Sequence, residues 1–266
     1  MRTVKDVYDA LFAQAPSYMK YDWDNVGLLC GRWNMPVSKV MVALDPMPDV
    51  LEEAKDVGAE LIVTHHPLIF QPISAVAEDT LTGRCLLYLI ENGMAAINLH
   101  TNLDCAPCGV NDILAEKLGL QNISVIEPVG KDEQGRDYGL LRMGTIEPMP
   151  LADFAANTAE LLGCKGVRYA DGGKMVCRVA VGGGSCGSEL DKVIKAGCDT
   201  FVTADLKYNH FEEAKYHGIN LIDAGHFPTE DPVCERLVEI LREALPELEI
   251  FRSKNHHDET QFLING

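Results

Sequence analysis

Across the 266 residues, one strand–helix–strand pattern occurs twice at a fixed spacing, and this repeat limits the folds open to the chain. In the first half, Lys39-Val-Met-Val-Ala-Leu-Asp45 reads as a buried strand. A helix with Val50, Leu51, Ala54 and Val57 on one face follows and stops at Gly58. Ala59–Thr64 then reads as a second strand running into His65-His66. In the second half, Arg178-Val-Ala-Val-Gly182 leads through a glycine turn to a helix bearing Leu190, Val193 and Ile194. Gly197 stops that helix, and Cys198–Thr203 is the next strand. Val40 and Val179, Leu51 and Leu190, Gly58 and Gly197, and Thr64 and Thr203 all lie 139 positions apart. The match resumes at a shorter offset, where His100-x3-Asp104 faces His226-x3-Glu230. Apolar strands and helix-stopping glycines are common to all βαβ units; a shared His-x3-acid element is not.

Alternating strands and helices imply parallel or mixed sheets covered by helices. The expected fold is α/β, with two similar, pseudo-symmetric lobes of mixed sheet and a metal site in the cleft between them. The polar, turn-rich segment 127–137 marks the expected boundary. Residues 1–126 then form a lobe carrying His65, His66 and Asp104. Residues 127–266 form a lobe carrying His226 and Glu230, with the C-terminal segment free to pack back on the first. Tyr138–Glu147 reads as a strand and Leu151–Leu162 as a helix ended by Gly163. At the N-terminus Val4, Val7, Tyr8, Leu11, Phe12 and Ala15 share a helical face behind a Thr3-x-x-Asp6 capping box.

The formal net charge of −17 argues against a sequence-independent nucleic-acid binder or a protein of anionic lipid surfaces. It argues less against a nucleotide, because bound cations reverse the local sign. No apolar stretch is long enough to cross a bilayer, and the first residues lack an apolar signal core, so a cytoplasmic protein is expected. Nine cysteines, an odd number without framework spacing, fit reduced thiols. Cys105-x-x-Cys108 has no second pair and reads as structural or incidental.

The chemistry lies in His65-His66, Asp104, His226 and Glu230, an imidazole and carboxylate set suited to Fe, Zn, Mn or Ni. Singly, each has a bland explanation: a hydrogen-bonding histidine, a turn or cap for Asp104, a helix start for Glu230. Five such groups at three strand ends call for a common cause. Neighbouring side chains on extended backbone point to opposite sides, so His65 and His66 are expected to serve different ions of a pair. Five ligands over two divalent ions leave positions for water or substrate. The run Val181-Gly-Gly-Gly-Ser-Cys-Gly187 could cradle a phosphate, but without a P-loop lysine a tight turn is the better reading. His256-His257-Asp-Glu259 reads as a solvated surface segment, and His210 and His217 as surface residues of a helix.

Four stretches together resemble one family: Tyr21-Asp-Trp-Asp-Asn-Val-Gly-Leu-Leu29, Val63-Thr-His-His-Pro-Leu-Ile-Phe70, Asn98-Leu-His-Thr-Asn-Leu-Asp104 and Asp223-Ala-Gly-His-Phe-Pro-Thr-Glu230. They are similar in order and spacing to the Nif-three-like proteins, known as GTP cyclohydrolase I type 2 homologues, in their short form without an inserted domain. The resemblance spans nearly the whole chain. It implies two α/β lobes around a dinuclear metal site, assembled as a toroidal homohexamer. It implies His65, His66, Asp104, His226 and Glu230 as metal ligands, with Glu230 as the bridge. By the same resemblance His100 stands near the metals, supporting their ligands or shuttling protons, and Asp24 and Asn25 lie at the rim of the cleft. The implied activity is metal-dependent hydrolysis of a nucleotide-like substrate, opening the imidazole ring of guanine in a GTP-like molecule. The alternatives are a metal carrier or regulatory scaffold without turnover and, more weakly, a transcription-linked interaction protein.

Overall fold

The computed structural model describes residues 1–263. The chain divides into two compact units, one of Met1–Ala106 with Val233–His257, the other of Pro107–Pro232 with the segment from Asp258 onward.

The first unit is built on a five-stranded sheet in the order Glu249–Arg252, Lys39–Ala43, Leu61–Thr64, Ala95–Asn98, Gly27–Cys30. The first four strands are parallel and the last is antiparallel. Met41, Ile62 and Ala96 share a core with Val50, Leu51 and Leu89 of the helices Pro48–Val57 and Leu81–Glu91. The alternate residues Val40, Val42, Leu61 and Val63 are fully buried too. Burial on both faces explains why these strands are apolar runs rather than alternating ones. The helix Val4–Gln14 packs on Val233–Ala244, which lies against the strands Glu249–Arg252 and Lys39–Ala43. Thr3 and Asp6 form the expected capping box. Gly58, at φ 75°, ends the Pro48–Val57 helix in the left-handed conformation that a side chain would disfavour.

The second unit has a six-stranded sheet in the order Arg168–Ala170, Asn220–Asp223, Thr200–Thr203, Val176–Val181, Arg142–Met149, Gln121–Val125. The three strands after Arg168–Ala170 are parallel to one another, and the other pairings in the sheet are antiparallel. One face buries Val179, Val181, Val202 and Ile222 against Leu114, Leu151 and Phe154; the other buries Ala180, Phe201 and Leu221 against Leu190, Val193 and Ala214. Arg142, 1% exposed, gives Nε and Nη2 to the carboxylate of Asp112 at 2.6 and 3.2 Å and Nη1 to the carbonyl of Gly139 at 2.6 Å. The pair ties the Val110–Lys117 helix to the sheet.

Each unit contains three adjacent parallel strands. The pairing Val40↔Leu61 in one has its counterpart 139 positions on in Val179↔Thr200. In the third strand, Thr64↔Asn98 corresponds to Thr203↔Asp223. This register aligns Asn98 with Asp223, one residue before the Ala224 that the His-x3-acid match assigns it. The extra residue is accommodated at Gly225, at φ 86°, between strand and helix.

The expected division at 126/127 falls inside the second unit. Segment 127–137 is polar because it makes a small exposed hairpin, Gly130–Lys131 paired with Asp137–Tyr138, and not because it links two bodies. The chain changes unit at 106/107, returns at 232/233 and leaves again at 257/258. Among the described residues no helix is long and apolar enough to cross a membrane.

Candidate metal centre

Parallel strands that end side by side bring their following residues together, and open α/β sheets bind ligands at that edge. In the first unit, Asp45 comes two residues after Ala43, His65 directly after Thr64, and His100 two residues after Asn98. In the second, Gly184, Asp205 and His226 follow the ends of the Val176–Val181, Thr200–Thr203 and Asn220–Asp223 strands.

His65, His66 and His100 each offer a ring nitrogen, all within 4.8 Å of one another. His65 and His66 do not point to opposite sides, as alternation along a strand would require. The strand ends at Thr64, whose hydroxyl donates to the carbonyl of His66 at 2.7 Å, and the chain bends there. The two rings therefore lie 5.0 Å apart. Asp104 lies on the short helix Thr101–Cys105 rather than at a strand end. Its Oδ1 is 3.5 Å from Nε2 of His65, and both side chains are buried.

The protonation of these rings follows from their partners. Nδ1 of His65 is 2.8 Å from the carbonyl oxygen of Leu99, which can only accept, so Nδ1 carries the proton and the lone pair lies on Nε2. His66 Nδ1 donates to Asp45 at 2.6 Å, and His100 Nδ1 donates to Asp24 at 2.8 Å. Burial would raise the Asp24 pKa, but bonds from His100 and Thr101 outweigh it and hold the carboxyl at about 2. Burial works against ionisation of Asp45 as well, yet donors from His256 and His66 keep it well below the usual carboxylate range. His256 reaches the second oxygen of Asp45 through Nε2 at 3.1 Å, with its side chain 7% exposed. It is thus a buried partner of Asp45, not the solvated residue expected from its polar surroundings. Ser253 and the backbone of Lys254 and Asn255 bond to Glu53, which fixes the segment that carries it.

In the second unit, His226 and Glu230 stand one turn apart on the helix His226–Glu230, with Nε2 and Oε2 at 2.9 Å. Nδ1 of His226 donates to Asp205 at 2.8 Å. Burial disfavours the charge on His226, but its bonds to Asp205 and Glu230 prevail and push its pKa up to about 11. An imidazolium between two carboxylates is a place where a metal cation can replace a proton. Gly184 makes room for this pair. A Cβ there would stand 2.1 Å from Oε1 of Glu230 and 3.0 Å from Nε2 of His226.

The glycine run is a turn. The amide of Gly182 donates to Val202, that of Gly183 to Asn111, that of Gly184 to Thr229 and that of Cys186 to Thr203, so these donors already have protein acceptors. Among the described residues neither Cys105, which is buried, nor Cys108, exposed at φ 62°, joins a group of ligand atoms. His210 accepts a bond from the amide of Lys207 at the start of the Tyr208–His217 helix, a local cap.

The donor set, its tautomers and the space kept for Glu230 fit divalent ions. Residues 2–259 match the family model described as Duf34/NIF3 (NGG1p interacting factor 3). The chain belongs to the DUF34/NIF3 family. A relative from Streptomyces coelicolor, named GTP cyclohydrolase 1 type 2 homolog, is 40% identical over 240 residues, covering 88% of this chain and 84% of that protein. One from Clostridium perfringens with the same name is 33% identical over 263 residues, covering 98% and 99%. A Bacillus cereus protein described as related to NIF3 has a crystal structure that superposes with a TM-score of 0.92 at 25% identity, over 99% of both chains. The mixed α/β architecture of this chain is that of the NIF3 structures.

Reading the sequence alone brings out the histidines and, of the carboxylates that orient them, only Asp24, expected at the rim of the cleft; it misses Asp45 and Asp205. Asp45 and Asp205 each follow a strand as isolated acids, a commonplace pattern. One signal was present for Asp205: it lies 139 positions after His66, at the repeat's own spacing.

Proposed function

We propose that His65, His66, Asp104, His226 and Glu230 together hold two divalent metal ions. In this reading the protein is a hydrolase of nucleotide-like substrates, similar in activity to a GTP cyclohydrolase. One observation supports the proposal: His65, His66 and His226 each donate Nδ1–H to a carbonyl or carboxylate, which turns Nε2 into the atom suited to a metal. Divalent ions held there would lower the pKa of water and stabilise charge that develops on the substrate. Glu230, whose carboxylate has two oxygens and stands over a glycine, would serve both ions. His100 is locked to Asp24 through Nδ1 and moves a proton at Nε2, next to His65 and His66. The names of the relatives support GTP or a GTP-like molecule as substrate. The two sets of three parallel strands support descent from a duplicated unit, and the resemblance to the family supports a toroidal homohexamer in the cytoplasm.

The test is turnover. Protein loaded separately with Zn, Mn, Fe or Ni is incubated with GTP, and opening of the guanine imidazole ring is followed by chromatography. The expected result is metal-dependent consumption that Glu230→Gln and His65→Ala abolish together with metal retention. Activity that survives loss of the metal overturns the reading. Lack of turnover in every metal form, with bound iron passing to an apo-acceptor, would instead support a carrier.

A further inference from the structure

Beside the imidazoles of the first unit stand aromatic side chains that the core does not use. Trp23 and Phe70 are 61% and 48% exposed. Their rings meet at 79° with centroids 5.9 Å apart. Each also meets the ring of His100, Trp23 at 75° and 6.2 Å and Phe70 at 88° and 5.9 Å. Three rings nearly perpendicular in pairs form a corner with flat walls. Tyr21 lies almost parallel to Trp23, at 9° and 5.8 Å.

The corner is held in place by the backbone around it. Lys20 Nζ donates to the carbonyls of Tyr21 and Asp24, and the amide of Tyr21 donates to Thr101. Asn25 Nδ2 donates to the carbonyl of Ile69 at 2.7 Å, which ties the loop carrying Trp23 to the segment carrying Phe70. Large aromatic rings strongly favour burial, so leaving two of them exposed and fixed forgoes stability that folding alone would take. The third wall, His100, lies 5.3 Å from His65 and 5.8 Å from His66 between ring centroids. Anything stacked in the corner is one imidazole away from the ligands of the candidate centre.

We propose that Trp23, Phe70 and His100 form a stacking site for the planar heteroaromatic ring of a nucleobase, holding it beside His65 and His66. The proposal rests on the hydrolase reading above and deepens it, since it names the part of the substrate that the protein grips. A flat π-face accepts a base whatever its edge pattern, whereas a sugar phosphate without a base has no π-face to stack on it.

The experiment uses metal-free full-length protein with Trp33→Phe, so that Trp23 is the one remaining tryptophan of the two. Guanosine 5′-monophosphate and ribose 5-phosphate are titrated while Trp23 emission is followed. Saturable quenching by the nucleotide and none by the sugar phosphate is expected. Phe70→Leu should weaken nucleotide binding about ten-fold or more, with unchanged circular dichroism. Absence of saturable quenching, equal response to ribose 5-phosphate, or unaltered affinity in Phe70→Leu overturns the proposal. So does a Phe70→Leu variant that changes only the oligomeric state, which would assign the corner to a second copy of the chain. No metal and no turnover enter this measurement, so its failure and that of the hydrolase reading are separate results.

Discussion

Gly184 is as exacting a position as any ligand. At φ 60° it occupies left-handed backbone, and a methyl group there would collide with Glu230 and His226. Gly184→Ala should lower stability by about 1–2 kcal/mol for the backbone alone. It should also displace the Glu230 carboxylate and deplete bound metal, which elemental analysis and thermal unfolding would check separately. Asp45 holds His66 from one oxygen and His256 from the other. Asp45→Asn keeps the shape but not the charge, and should weaken metal affinity about 10–100-fold in a competition titration. His226 sets a pH dependence. Its folded pKa in the metal-free protein is raised to about 11, above the ordinary value of 6.5. The stabilisation is therefore fully present below the unfolded pKa and is lost as pH rises through about 11. Unfolding of metal-free wild type and His226→Gln should differ by a constant amount below pH 6.5, with the gap shrinking toward pH 11. Metal uptake near neutral pH should release a proton from this histidine.

Elements show where sequence periodicity sufficed and where it failed. The Leu151–Leu162 helix and its Gly163 stop match the reading residue for residue, because one apolar face and one left-handed cap determine both ends. The buried strands were legible as apolar runs for the same reason. Alternation, however, applies only while the backbone stays extended. The bend after Thr64 brings His65 and His66 to one side, and no residue type announces that bend. Asp104 was legible as a candidate ligand but not as a helical residue, since the Thr101–Cys105 helix is too short to show a period. His256 was misjudged because covering one side chain of an otherwise exposed polar segment depends on the Glu53 bonds, which bridge about 200 positions of sequence. One inter-element contact was invisible for a similar reason: the pairing of Asp112 with Arg142. Asp112→Ala leaves a guanidinium buried without its carboxylate and should destabilise the protein by about 3–5 kcal/mol in denaturant unfolding. Arg142→Met, which removes the charge and keeps the volume, should cost less.

For the whole molecule, composition predicted a boundary in the most linker-like segment, and the chain instead crosses where Cys105-Ala106-Pro107-Cys108 carries no such mark. The return of Val233–His257 to the first unit, with Glu249–Arg252 pairing on Lys39–Ala43, is a long-range event that local pattern does not encode. The net charge of −17 has a use in this account, because the carboxylates of Asp24, Asp45 and Asp205 orient imidazoles and, with Asp104 and Glu230, would attract cations. The claim beneath all of this is that the prepared nitrogens and oxygens take up metal. Elemental analysis of protein purified without added metal, then titrated with Zn after chelation, tests it most directly. Two divalent ions per chain in the wild type, and depletion in both His65→Ala and Glu230→Gln, is the predicted result. A folded wild-type protein that retains no metal and takes up none on titration would contradict the account.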